Sequence, residues 1–288
     1  MMPSALRFVT YLAPGIPEAF FKDVTKHVER ETGIRCELQT YSTFSGPGRD
    51  EVDPFSSDLA DVGFICSPSF VWLRDRERPP IELLPAAPVF CTANCRGRPV
   101  SFSDIVVRRD NVARSFQDLR ACRWAYNDPY SQSGYYCVVK KLHELSADLG
   151  FFSKFRQSGS HLGSIQLVIS GEVDACAIDS NVLAYNLRCS PELRKKLRVI
   201  ESWGPYPVQP IVVRTTLGAA VKQELAKVLL ATGECLWMQN RLIAHGVERF
   251  ARVTETMYDG QRRALRDCER FLNLSRQTAA ARCAAAHM

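Results

Sequence analysis

The apolar positions change period twice within the first forty residues. Leu6–Leu12 is a run of β-branched and aromatic residues, which predicts a strand. From Pro17 the spacing becomes helical. Phe20, Phe21, Val24 and Val28 share one face, Gly33 supplies a C-terminal stop, and the turn Ala13–Gly15 joins the two elements. A strand over Ile34–Tyr41, a Gly/Pro/Asp-rich loop over Ser45–Pro54 and a strand over Asp61–Cys66 follow. Short buried strands are predicted at Ile105–Val107, Trp124–Tyr126 and Ala175–Ile178, then at Leu197–Ser202 and Pro210–Val213. The stretch from Leu217 to Leu274 reads as nearly all helical. The tail Thr278–Met288 reads as a loose helix or a non-native addition. The recurring strand–helix–strand order predicts an α/β fold with mostly parallel sheets.

One junction interrupts this pattern with small polar residues. After the strand ending at Tyr126 comes NDPYSQSGYY, Asn127 to Tyr136, and then a helical face of Tyr135, Val138, Val139, Leu142 and Leu145. Ser131 and Ser133 therefore stand at a helix start, where backbone N–H groups lack intrahelical partners. Gly134, without a Cβ, would let a ligand approach closely. Hydroxyls, free N–H groups and the positive helix end together suit an anion. A simple serine N-cap is the competing reading. The same grammar recurs at Ser158–His161 ahead of Leu162, Ile165, Val168 and Ile169, a run closed by Gly171. His161 would then face the same way as the serines if both helices follow parallel strands, since ligands gather at the carboxyl ends of strands in open α/β sheets. A strand ending at Asp179 comes next.

Composition narrows the classes. With 288 residues, 46% hydrophobic and 24% charged, the chain has ample material for a globular core. A net charge of +6 is modest, and the arginines Arg262, Arg263, Arg266, Arg270 and Arg276 alternate with acidic residues. They read as a solvated helical face, not a nucleic-acid stripe. No apolar run approaches the length of a membrane span. Eleven dispersed cysteines and an N-terminus without secretory features predict reduced thiols and a cytoplasmic location. Cys91 and Cys95 are a close pair, but nothing completes a zinc set around them, so neither metal nor cofactor is predicted.

The segments WAYNDPYSQSGYY, SGSHLGSIQLVISGEVDACAIDS and LRVIESWGPYPVQPIVV together resemble the phosphate/phosphonate substrate-binding proteins of ABC uptake systems. The resemblance spans roughly residues 6–250. It implies a two-lobed type II periplasmic-binding-protein fold with a ligand cleft between lobes. Lobe one would be 1–99 plus 206–288, lobe two 100–205, with crossovers near Val100–Ser103 and Trp203–Val208. It further implies an oxyanion ligand and a monomer that can serve an ABC permease. Carried over by position, the family's serine-rich cradle falls on Ser131, Gln132, Ser133 and Gly134, and its histidine on His161. An aromatic of the family falls on Phe44, with Tyr41 nearby. The acids that hold a ligand amine in aminophosphonate binders fall on Asn181 and Gln209, both amides, so Asp179 is left as the available negative charge.

Two function classes follow. The first is a binding protein for a small oxyanion without chemistry. The second is a cytoplasmic enzyme on the same fold, resembling thiamin-pyrimidine synthases or chorismate dehydratases and using His161 and Asp179. The lack of a cysteine cluster and of a cleft lysine weighs against the pyrimidine-synthase version. If the location is periplasmic instead, a signal has been removed.

Overall fold

The computed structural model describes residues 3–12, 15–42 and 44–285, apart from the side chains of Arg276 and of 278–285. The chain begins with β1 (Ala5–Thr10), α1 (Glu18–Thr32), β2 (Arg35–Thr40), β3 (Val62–Phe64), α2 (Ser67–Arg74), β4 (Ile81–Leu83) and β5 (Ala87–Phe90). It continues through β6 (Val100–Arg108), β7 (Arg123–Tyr126), α3 (Cys137–Glu144), β8 (Lys154–Gln157), α4 (His161–Ser170) and β9 (Ala175–Asp179). Then come α5 (Ser180–Cys189), α6 (Leu193–Lys196), β10 (Leu197–Pro207), β11 (Ile211–Arg214), α7 (Ala219–Leu230), α8 (Leu236–Ala244), β12 (Val247–Ala251) and α9 (Asp259–Ala285). The expected turn at Ala13–Gly15 falls largely outside the described residues, as do the last three residues of the tail, whose preceding part continues α9.

Two five-stranded sheets organise these elements, in the orders β2-β1-β3-β11-β4 and β10-β6-β9-β7-β8, beside a small β12-β5 ribbon. In the first, β1 is parallel to β2 and β3, while β11 runs antiparallel to β3 and β4. In the second, β7 is parallel to β8 and β9, while β6 runs antiparallel to β9 and β10. The expectation of mostly parallel sheets is thus corrected to mixed ones. A chain that leaves one sheet through β6 and returns through β10 and β11 must cross in opposite directions, which makes those strands antiparallel to their neighbours.

Helix α1 buries Phe20, Phe21, Val24 and Val28, and Gly33 closes it at φ +69°, its N–H bonded to the Glu29 carbonyl at 2.9 Å. Each such fully buried side chain contributes about 1.5–3 kcal/mol. The second sheet has its own apolar cluster, in which the Phe116 ring stacks on Phe151 at 5.2 Å and meets Trp124 edge-on at 5.6 Å. The C-terminal stretch departs from the all-helical expectation. Gly246 ends the segment after α8 at φ +78°, and β12 follows, burying Val247 and Phe250 against β5. Its short apolar spacing also fits a helix face, so only the tertiary partner decides.

Candidate functional site

Three parallel strands of the second sheet end in helix starts. β7 leads to Asn127 and Asp128, β8 to Ser158–His161, and β9 to Asp179 and α5. The parallel strands of the first sheet end opposite, at Tyr11, Ser42 and Cys66. Between the two sets lies a cavity of about 50 Å³. Its lining includes Ser42, Phe44, Ser45, Asn127, Asp128, Ser131, Ser133, Ser160, His161 and Gln209, with Tyr11, Leu12 and Ile16 as apolar wall. This volume accommodates roughly three or four water-sized groups. A larger open groove, about 930 Å³, lies between Trp72, the 49–53 loop and α9. Most of its charges are neutralised in pairs, Arg49 with Glu269, Arg76 with Asp53 and Arg266 with Asp75.

The serine junction is tighter than a simple helix start. Residues Gln132–Tyr136 form a π-turn, in which the Tyr136 N–H donates to the Ser131 carbonyl at 3.1 Å, before α3 begins. Such single π-turns occur often at functional sites. Ser131 Oγ accepts the Gly134 N–H at 3.1 Å, so this hydroxyl caps the turn and retains its own proton as a donor. Ser133 Oγ lies 3.2 Å from His161 Nε2, and its carbonyl accepts from Ser103 Oγ at 2.7 Å. Gly134 does not line the cavity. A Cβ there would fall 1.8 Å from Asn127 Oδ1, so the glycine is required by close packing against a side chain, not by ligand approach as the sequence suggested. Gln132 also faces away, its amide toward Cys137 Sγ at 3.5 Å.

His161 is the first residue of α4, behind the N-cap Ser160, whose Oγ accepts the Gly163 N–H at 2.9 Å. Burial pushes its imidazole down to about 4, and among the described residues Nδ1 has no hydrogen-bond partner. Two amides at the cavity are oriented by carboxylates. Asn127 donates through Nδ2 to Asp128 at 2.8 Å, and Gln209 through Nε2 to Asp179 at 2.9 Å. This leaves Asn127 Oδ1 and Gln209 Oε1 buried and, among the described residues, unpartnered.

Asp179 does not enter the cavity. It is buried at the end of β9 and caps α5, accepting from the N–H groups of Asn181 at 2.9 Å and Val182 at 3.4 Å. Asn181 turns elsewhere, its Oδ1 accepting from Thr92 Oγ1 at 3.3 Å. Tyr41 stacks on Tyr11 at 4.6 Å outside the lining, whereas Phe44 reaches it at φ 60° and packs its ring on Tyr130 at 4.8 Å. The carboxylate at the cavity is Asp128, which sequence reasoning treated as a turn residue. It accepts from Ser45 Oγ at 2.6 Å, Ser45 N at 3.3 Å, Tyr130 N at 2.9 Å and Asn127 Nδ2 at 2.8 Å. Those donors occupy the roughly four lone-pair sites of a carboxylate. Burial holds its pKa above the usual carboxylate range. The signal that could have exposed Asp128 was its place directly after a strand end, beside the serines.

The family model described as "ABC transporter, phosphonate, periplasmic substrate-binding protein" matches residues 8–258. Comparison with curated protein sequences finds no match. Among solved structures, the chain is similar to a binding-protein component of an ABC phosphonate transporter from Pseudomonas aeruginosa, with 18% identity over 94% of this chain and 88% of that one and a TM-score of 0.78. It is similar to a Prochlorococcus marinus protein in complex with methylphosphonate, with 20% identity over 94% and 99% of the two chains and a TM-score of 0.78. A Xanthomonas citri protein, solved with chloride, gives 20% identity over 96% and 100% and a TM-score of 0.65. These likenesses carry the two-lobed binding-protein fold.

Proposed function

The chain belongs to the family of periplasmic substrate-binding proteins of phosphonate ABC transporters, and from that premise we propose that its cavity binds a compact phosphonate-like oxyanion. The observation that supports this best is the convergence of Ser131, Ser133 and His161, from two helix starts, on one cavity of about 50 Å³. The serine hydroxyls donate to the anion, and His161 presents a nitrogen without a partner among the described residues. Ser42, Ser45 and Ser160 extend the hydroxyl lining. Methylphosphonate, the ligand of the Prochlorococcus structure, is of the size this volume suits. Lobe one is taken as 1–99 plus 206–288 and lobe two as 100–205, with the protein acting as a monomer that delivers ligand to a membrane permease. Among the described residues no helix is long and apolar enough to cross a membrane. The family description is periplasmic, and the cytoplasmic expectation finds no support in the comparisons. The enzyme alternative finds none either, and Asp179 is engaged as a helix cap.

The two carboxylates nearest the ligand are already committed, Asp128 to Ser45, Tyr130 and Asn127, and Asp179 to Asn181, Val182 and Gln209. A buried ammonium without a free carboxylate costs several kcal/mol. The ligand is therefore one without an amine, a preference calorimetry tests on 2-aminoethylphosphonate against its hydroxyethyl analogue and on methylphosphonate. The expected order places the amine last. Hydrogen bonds to a charged group contribute about 1.5–3 kcal/mol each, so replacing Ser131 and Ser133 together by alanine should weaken methylphosphonate binding at least tenfold. Full affinity in the double variant, with native circular dichroism, would reduce the serines to helix caps.

A further inference from the structure

His27 and Glu31 stand one turn apart on α1, and Cys235 immediately precedes α8. An imidazole nitrogen of His27, a Glu31 carboxylate oxygen and Cys235 Sγ lie within 4.8 Å of one another. His27 is only 2% exposed, and among the described residues its Nδ1 has no hydrogen-bond partner. Glu31 Oε1 is 3.9 Å from that nitrogen, beyond hydrogen-bonding distance. A backbone hydrogen bond to Val228 in α7 steadies the ring, while burial keeps the imidazole below the usual histidine range and therefore neutral. A ring fixed through one nitrogen, with a bare lone pair on the other, is the form in which histidine ligates metals. We propose that His27, Glu31 and Cys235 form a zinc-binding site that ties α1 to the segment preceding α8.

Zinc takes nitrogen, sulfur and carboxylate oxygen at about 2.0–2.3 Å in tetrahedral geometry, which sets ligand atoms roughly 3.3–3.7 Å apart. The half-exposed Glu31 side chain closes the remaining gap by a small rotation, and solvent supplies the fourth ligand. Lys26, Arg30 and Arg241 gather around the neighbouring Trp237 ring at 6.0, 4.8 and 5.8 Å. A thiolate and a carboxylate neutralise the dication, so these cations impose little repulsion. His27 lies nine residues along α1 from Glu18, about 13 Å from the end that borders the cavity, so ligand binding there proceeds independently. The test is a cobalt and zinc titration of the reduced full chain carrying Cys91→Ser, Cys189→Ser and Cys283→Ser. We expect one equivalent of cobalt with a thiolate-to-metal charge-transfer band, displaced by zinc, and a Tm that climbs with free zinc. Adding Cys235→Ser should abolish the band and weaken zinc at least tenfold, and His27→Gln should weaken zinc likewise, while methylphosphonate affinity stays unchanged. Equal cobalt absorption and affinity with and without Cys235, or no binding by the parent chain, would overturn the proposal.

Discussion

His161 shows how far a single residue's surroundings can redirect its chemistry. Burial alone holds its pKa at about 4, below the ordinary 6.5, so the ring is neutral near neutrality. Its contribution to folding stability is fully present above about pH 6.5 and is lost as pH falls toward 4, because the unfolded chain then binds the extra proton. Asp104, pushed up to about 6 by burial, acts with the opposite sign, since it destabilises the fold as pH rises through that range. A stability profile therefore blends the two, and ligand-linked protonation separates them. A bound oxyanion beside the imidazole favours its charged form, so binding takes up a proton and affinity falls as pH rises. Calorimetry at about pH 6 in buffers of different ionisation heat should show more proton uptake for the parent than for His161→Gln. Identical uptake in both would remove His161 from contact with the anion. The sequence made Ser131, Ser133 and His161 legible because polar helix starts have a local signature. Asp128 and Asn127 were not legible as site residues, because the same letters write an ordinary turn. Asn181 and Gln209 were placed by resemblance, and of the two Gln209 lines the cavity; Asp179, read as a strand-end acid, does not line it.

At the scale of elements, legibility followed the length of the apolar period. α1 was readable from four buried positions and a terminal glycine, whereas β12 was not, since its buried Val247 and Phe250 stand three residues apart and fit a helix face equally well. The π-turn was hidden for another reason. Its bonds skip one residue further than those of an α-helix, and the packing of Gly134 against Asn127 beside it is a contact no local pattern records. Gly33 offers a clean measure of how much a terminal residue matters to its helix. It sits at φ +69° with nothing within 4 Å of where a Cβ would stand, so Gly33→Ala adds backbone strain without a clash. Left-handed backbone costs a non-glycine residue about 1–2 kcal/mol. Urea unfolding should show a lower midpoint by that amount with an unchanged slope, and methylphosphonate affinity should hold. A variant as stable as the parent would mean that the end of α1 readjusts freely.

For the molecule as a whole, the sequence conveyed the alternation of strands and helices but not the direction in which the crossing strands run, since direction depends on which sheet the chain returns to. One long-range feature has kinetic meaning. The 44–51 loop, which follows β2 of the first sheet, grips the 128–132 segment of the second at several points. Ser45 holds Asp128, the Tyr130 hydroxyl donates to Glu51 Oε1 at 2.7 Å, and Phe44 lies against Tyr130. If entry to the cavity requires these contacts to part, parting sets a waiting time that no concentration of ligand shortens. Stopped-flow association with methylphosphonate should accelerate with concentration and then level off, and Ser45→Ala should raise the plateau; a strictly linear rise would contradict it. The same grip slows escape, so a captured anion would remain held through many chance encounters before it is surrendered. On that expectation Ser45 and Asp128, besides lining the cavity, would act as the timer of an intermittently opening gate.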